Sequence, residues 1–230
     1  MPRRLLAREP SPFDAVWSRF TAAPTTLGPT PGAREAWHLG RPRYAVWVLR
    51  VEDPAVLSRH AAMLDVLAPH GARPFTDPHI TLFVAGFPTA APERDDDVAH
   101  TTLEAQVAAL RAADPLAPCL HVGGLNAFLS CPFLEVHAPA GGLDALRSPL
   151  ERALLAHDRR EVRFAPYVPH FTVGPFGDTR PTRPVAAAIA GLRSLPPLPF
   201  RPSALELVTF DTAAMGPLTT VARVELRTEP

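Results

Sequence analysis

The 230-residue sequence contains no lysine; all 23 of its basic residues are arginine. That excludes Schiff-base and lysine-nucleophile chemistry, and it excludes a Walker A loop, which needs its lysine. Net charge is absent too, because 23 acidic residues offset the arginines. A protein that coats long nucleic acid draws its affinity from many basic–phosphate contacts, so neutrality argues against that class, while leaving room for a local arginine cluster for a short ligand. Cysteine is scarce: Cys119 and Cys131 are the only two, which rules out a disulfide framework and matches no zinc spacing. No stretch approaches the ~18 consecutive apolar residues of a membrane span. The amino-terminal residues start basic, but Arg8, Glu9 and Asp14 interrupt any apolar signal region. These absences predict a cytoplasmic protein with no membrane association.

What is present is a chain with 47% hydrophobic residues, enough to bury a core. Its 29 prolines and 13 glycines stay below the roughly 25–30% expected of a disordered low-complexity chain. Residues 1–42 differ from the rest. After a short helical pattern at 13–20 comes TAAPTTLGPTPGARE, which has little to bury and reads as a poorly ordered or loosely packed arm. Residues 43–230 read as one bilobal domain.

Periodicity predicts strands at 44–51, 79–87, 119–128, 133–137, 170–176, 205–210 and 220–226. Helices are predicted at 55–67, 98–113, 143–155 and 185–192, with Pro149 placed to kink the third or delay its start. Strand–helix–strand occurs at 44–87 and again at 133–176, which points to an internal duplication. The fold class expected is α+β, with two pseudo-symmetric lobes around a central groove, each an antiparallel sheet with helices on its outer face.

The second strand of each unit carries the same five-residue pattern. The first reads Pro78-His79-Ile80-Thr81-Leu82 and the second Pro169-His170-Phe171-Thr172-Val173. Side chains alternate along a strand, so His and Thr at i and i+2 share one face while the apolar residues face the core. Fewer than about 0.05 copies of the full pattern are expected from composition, and two occur at matched places in a repeat. A third His-x-Thr, at His100, lacks apolar flanks and opens a helix, so it is set aside. His121 and His137 fall on neighbouring strands, but no carboxylate recurs with the motif, and no metal is expected.

PHITLF and PHFTVG resemble the paired His-x-Thr signatures of the two-histidine (2H) phosphoesterase superfamily, and most closely its bacterial and archaeal 2'-5' RNA ligase-like branch. The resemblance spans residues 43–227, including LELVTFDTAAMGPLTTVARVEL as a closing hairpin, and residues 1–42 have no counterpart. It implies that His79, Thr81, His170 and Thr172 form a catalytic set working without metal or other cofactor. The implied reaction opens a 2',3'-cyclic phosphate, at an RNA end or on a nucleotide, to a 2'-phosphomonoester. One imidazole accepts a proton from water and the other donates one to the leaving ribose oxygen. In the family the first-motif histidine is usually the acid. The branch commonly carries an arginine five residues after the second histidine, where this sequence has Pro175.

Other candidates come from position alone. Arg43, Arg73, Arg163 and Arg180 lie near motif strands or their entering loops and are candidates to hold phosphate, Arg43 and Arg163 foremost. Phe83, Phe128, Phe133 and Tyr167 are candidates to stack a base, while Trp47 reads as core. Two further readings use the same groove, a non-catalytic module for RNA ends or nucleotides and 2'-5' ligation by the reverse reaction. The partner expected is the RNA end or nucleotide alone; no obligate protein partner is inferred, and the chain is expected to be a monomer.

Overall fold

The protein is described from a computed structural model, over residues 11–157 and 167–228. The first motif unit runs β1 (Arg43–Arg50), α3 (Pro54–Leu67), β2 (His79–Thr89), and the second runs β5 (Pro132–His137), α5 (Asp144–His157), β6 (His170–Thr172). Before them lie α1 (Pro12–Ala22) and α2 (Ala33–His38), and between them β3 (Asp97–Ala99), α4 (His100–Ala113) and β4 (Leu120–Ala127). The chain closes with α6 (Thr182–Ala190), β7 (Leu198–Phe200), β8 (Ala204–Asp211) and β9 (Thr219–Glu225). Local chemistry sets several boundaries. Ser11 and Asp53 cap α1 and α3 by accepting from the first backbone N–H groups, and Pro12 and Pro54 occupy the first helical turns. Pro149 sits inside a continuous α5.

The strands form one sheet in the order β7-β4-β5-β6-β2-β1-β8-β9, with β3 parallel to β2 at its far end. That order is a palindrome about the β6–β2 seam: β6 corresponds to β2, β5 to β1, β4 to β8 and β7 to β9. The duplication read from the sequence is therefore a pseudo-twofold axis between the motif strands. The lobes are not separate sheets. They join through a single register pair, Ile80 opposite Phe171, both fully buried.

The helices of the two units cross to the opposite lobe behind the sheet. From α3, Arg59 Nη1 donates to Val122 O of β4 (3.1 Å), and His60 Nε2 bonds Thr172 O of β6 (3.2 Å). From α5, Arg147 donates to Leu82 O of β2. The main core lies between these helices and the sheet and includes Trp47, whose indole N–H donates to Gln106 Oε1 (2.8 Å).

The loosely packed arm expected over 1–42 does not describe residues 11–42. Phe13 and Phe20 of α1 are buried, and Asn126 Nδ2 donates to Phe13 O (3.0 Å). Thr26 N donates to Arg180 O and Leu27 N to Leu129 O. Trp37 of α2 packs on Tyr44, Phe87 and Phe210. Composition misled because a few aromatics suffice: each buried large apolar side chain contributes ~1.5–3 kcal/mol. The sequence also missed β7, whose Leu-Pro-Phe breaks the usual strand signature. Pro199 is tolerated there because β7 is an edge strand.

Candidate active site

Burial along both motif strands follows the alternation expected. In β2 His79 and Thr81 are half-buried, with Ile80 and Leu82 in the core; in β6 His170 and Thr172 are half-buried around buried Phe171. With Ile80 opposite Phe171 in an antiparallel pair, His79 falls opposite Thr172 and Thr81 opposite His170. The four side chains form a square on one face of the sheet. Cross-strand neighbours stand ~4.5–5.5 Å apart and the diagonal, where the histidines lie, spans ~7–8 Å between Cβ atoms. A phosphate hydrogen-bonded from both sides fits such a gap.

The two imidazoles are set by the same device. His79 Nδ1 bonds Asp77 O (2.7 Å) and His170 Nδ1 bonds Val168 O (2.8 Å). A carbonyl only accepts, so Nδ1 carries the hydrogen in each neutral ring and Nε2 is left with its lone pair. The strand entries match as well, since Pro78 O accepts from Val51 N and Pro169 O from Val136 N.

Electrostatics differ between the halves. Beside His79 on the same face stands Arg50 of β1, and beside His170 at the equivalent place stands Glu135 of β5. Each neighbour is held diagonally across its own lobe. Arg50 Nε donates to Glu206 Oε2 (3.1 Å), and Asn126 Nδ2 donates to Glu135 Oε1 (2.7 Å). Burial lowers the pKa of His79 below the ordinary imidazole value; the Asp77 carbonyl bond opposes this, while Arg50 and His170 add to it. Burial also lowers that of His170, against the Val168 carbonyl bond. Burial thus favours the neutral form of both rings at neutral pH.

Of the aromatic candidates, Phe128 and Phe133 reach the site. The Phe128 ring stands edge-on to His170 (centroids 5.0 Å apart) and stacks on Phe133 (4.4 Å), which is fully buried and lies 5.5 Å from the His170 ring. Phe83 does not, because it is 1% exposed and packs in the core. A β-bulge explains this: Val48 pairs with Thr81 and Trp47 with Phe83, so Leu82 is the extra residue and the parity of the strand flips after it. Tyr167 braces β2 instead of facing a base. Its hydroxyl donates to Thr81 O (2.9 Å), and the Arg147 guanidinium lies 4.2 Å from its ring centroid.

The arginine candidates fare differently. Arg43 is exposed at the far end of β1, seven residues from Arg50 and so roughly 23 Å along the strand from the motif. Arg163 lies outside the described residues. Arg180 pairs with Asp178 (2.6 Å). Arg73 runs beside the position where the branch has its arginine, since its backbone N donates to Pro175 O (2.9 Å). His121 and His137 are cross-strand partners, yet among the described residues no group of three or more His, Cys, Asp or Glu is placed to hold a metal.

Sequence reasoning missed Arg50, Glu135, Phe75 (5.3 Å from the His79 ring), His60 and Arg147. The first two need the strand register to be seen. His60 and Arg147 act from helices behind the sheet, and nothing in their local sequence marks them.

A sheet that brings two Pro-His-x-Thr strands together about a pseudo-twofold axis is the architecture of a 2H phosphoesterase. The chain belongs to the 2'-5' RNA ligase superfamily, which it matches over residues 67–214. Solved structures of similar fold include TT0787 of Thermus thermophilus, with a TM-score of 0.55 and 17% identity over 81% of this chain and 100% of that one. E. coli LigT in apo form is similar at TM-score 0.54 and 14% identity, over 81% and 99% of the chains. LigT complexed with 3'-AMP is similar at 0.50 and 15%, over the same shares. Among curated protein sequences none matches. No helix among the described residues is long and apolar enough to cross a membrane.

Proposed function

We propose that this phosphoesterase opens a 2',3'-cyclic phosphate, at an RNA end or on a nucleotide, to a 2'-phosphomonoester by paired histidine acid–base catalysis without a metal. The observation that carries the reading is the shared tautomer: two imidazoles, each locked through Nδ1, direct Nε2 to one face across a diagonal of phosphate size. One Nε2 takes a proton from water as the water oxygen attacks phosphorus. The P–O3' bond breaks, and the other imidazole, protonated at Nε2, gives its proton to O3'. The Thr81 and Thr172 hydroxyls, on the same face, donate to the non-bridging oxygens as negative charge builds there.

By resemblance His79 is the acid and His170 the base. Arg50 works against protonating His79, and an anionic phosphate offsets that once bound. Pro175 in place of an arginine favours a second reading, a module that binds the same ligands without turnover.

The test is incubation with 2',3'-cyclic AMP and a short RNA ending in a cyclic phosphate, in the presence of EDTA, with mass and isomer analysis. Release of 2'-monophosphate supports the reading; binding without turnover selects the module. The pH dependence follows from the lowered pKa values. The profile of kcat/KM reports the free enzyme, so it is expected to be bell-shaped with its maximum below about 6.5, the ordinary imidazole value. The kcat maximum lies higher, because bound phosphate favours the imidazolium. A flat profile between about pH 5 and 9 contradicts paired histidines.

A further inference from the structure

Beyond Glu135 the groove face of β5 and β4 opens into a cavity of about 510 Å³, within the size range of small-ligand sites. Its lining includes Glu135, His137 and His121, the glycine pair Gly123–Gly124, and Arg193. Glu135 is the cross-strand neighbour of His170, and the cavity lies one to two strand spacings, ~5–10 Å, from the motif. That is the reach of a nucleoside from its phosphate to its base.

The cavity is built. A Cβ at Gly124 would stand 1.9 Å from Arg193 O, and one at Gly123 would stand 3.2 Å from His137 Nε2, so side chains are kept off this part of the floor. The amino-terminal helix braces the walls. Phe13 packs on the His137 ring (4.8 Å), Asp14 accepts from Arg193 Nη2 (3.1 Å), and the Arg193 guanidinium lies over Trp17. Arg193 Nε is buried with no hydrogen-bond partner among the described residues.

The equivalent face of the other lobe is closed. There Arg50, Asp77, Glu206 and Arg223 are bonded among themselves. The pseudo-symmetric groove therefore has room for a base on the His170 side.

We infer that this cavity is the nucleobase subsite of the proposed reaction and that the Glu135 carboxylate selects bases presenting an amino group. A carboxylate has four acceptor positions and no donor. Asn126 takes one on Oε1 at 2.7 Å, with Arg193 Nη2 3.9 Å from the same oxygen, and His137 Nε2 approaches Oε2 at 3.3 Å. The remaining capacity suits the N4 amino group of cytosine or N6 of adenine and opposes the O4 carbonyl of uracil. The inference rests on the cyclic-phosphate reading for the identity of its ligand, but its test does not depend on turnover.

The probes are 2'-CMP and 2'-UMP, which share their phosphate and ribose and differ at the N3–C4 edge of the base, N3 with an N4 amino group in cytosine and N3–H with O4 in uracil. Calorimetric titration of the full chain is expected to show 2'-CMP binding about ten-fold tighter. In Glu135→Gln, whose amide still accepts from Asn126 but also offers an N–H to O4, the two affinities are expected to converge within about two-fold. Equal binding by the unaltered protein, no binding of either nucleotide, or a preference untouched by Glu135→Gln overturns the inference. The comparison in the unaltered protein stands even where the variant misfolds. A cytosine preference without opening of any cyclic phosphate keeps the subsite and defeats the catalytic reading, whereas opening without base preference does the reverse.

Discussion

Replacing either His79 or His170 by Asn is expected to lower kcat for cyclic-phosphate opening by about 10²–10⁴, with little change in unfolding midpoint. Asn is the informative substitution because its amide can still donate to Asp77 O or Val168 O, the bond each ring makes through Nδ1. The strand entry is then preserved, and what disappears is the proton-transferring Nε2. The double variant is expected to lose much less than the product of the single losses, since residues that act as a unit are not additive. Single-turnover kinetics with the folded variants checks this. Full activity in either one sinks the mechanism.

Phe171→Ala is expected to destabilise the protein by about 3–5 kcal/mol, with a fall in kcat exceeding any rise in KM. Phe171 is fully buried, forms the one β2–β6 register pair and stacks on His60 (centroids 4.8 Å apart). His60 in turn bonds Thr172 O, and burial lowers its pKa. Removing the ring empties volume at the seam that sets the histidine diagonal, so stability and catalytic geometry should fail together. Phe171→Leu, which keeps more of the volume, is expected to lose less of both. Denaturant midpoints paired with kinetics decide the matter; a large stability loss with unchanged kcat shows that the seam does not position the site.

The motif was legible because strand alternation acts within five residues. Pro-His-x-Thr needs only its own period to put His79 and Thr81 on one side and Ile80 on the other, and the second copy at His170 showed that the pattern belonged to a repeat. Legibility stopped at Leu82. One extra residue in the ladder turned Phe83 into the core, and nothing in TLFV announces a bulge. Arg50 and Glu135 were hidden for a related reason: each becomes a neighbour of its histidine only through pairing with a strand far away in sequence. The amino-terminal segment was misread because Phe13, Phe20 and Trp37 are too few to make a periodic stripe, yet each finds a place in or against the folded sheet.

Nitrogen-15 NMR of the histidine side chains during titration with inorganic phosphate or 2'-AMP shows whether both motif imidazoles grip one phosphate. The Nε2 resonances of His79 and His170 are expected to shift together, saturate at the same ligand concentration and titrate at higher pH in the complex. A ligand that moves only one ring, or neither, contradicts a shared phosphate site.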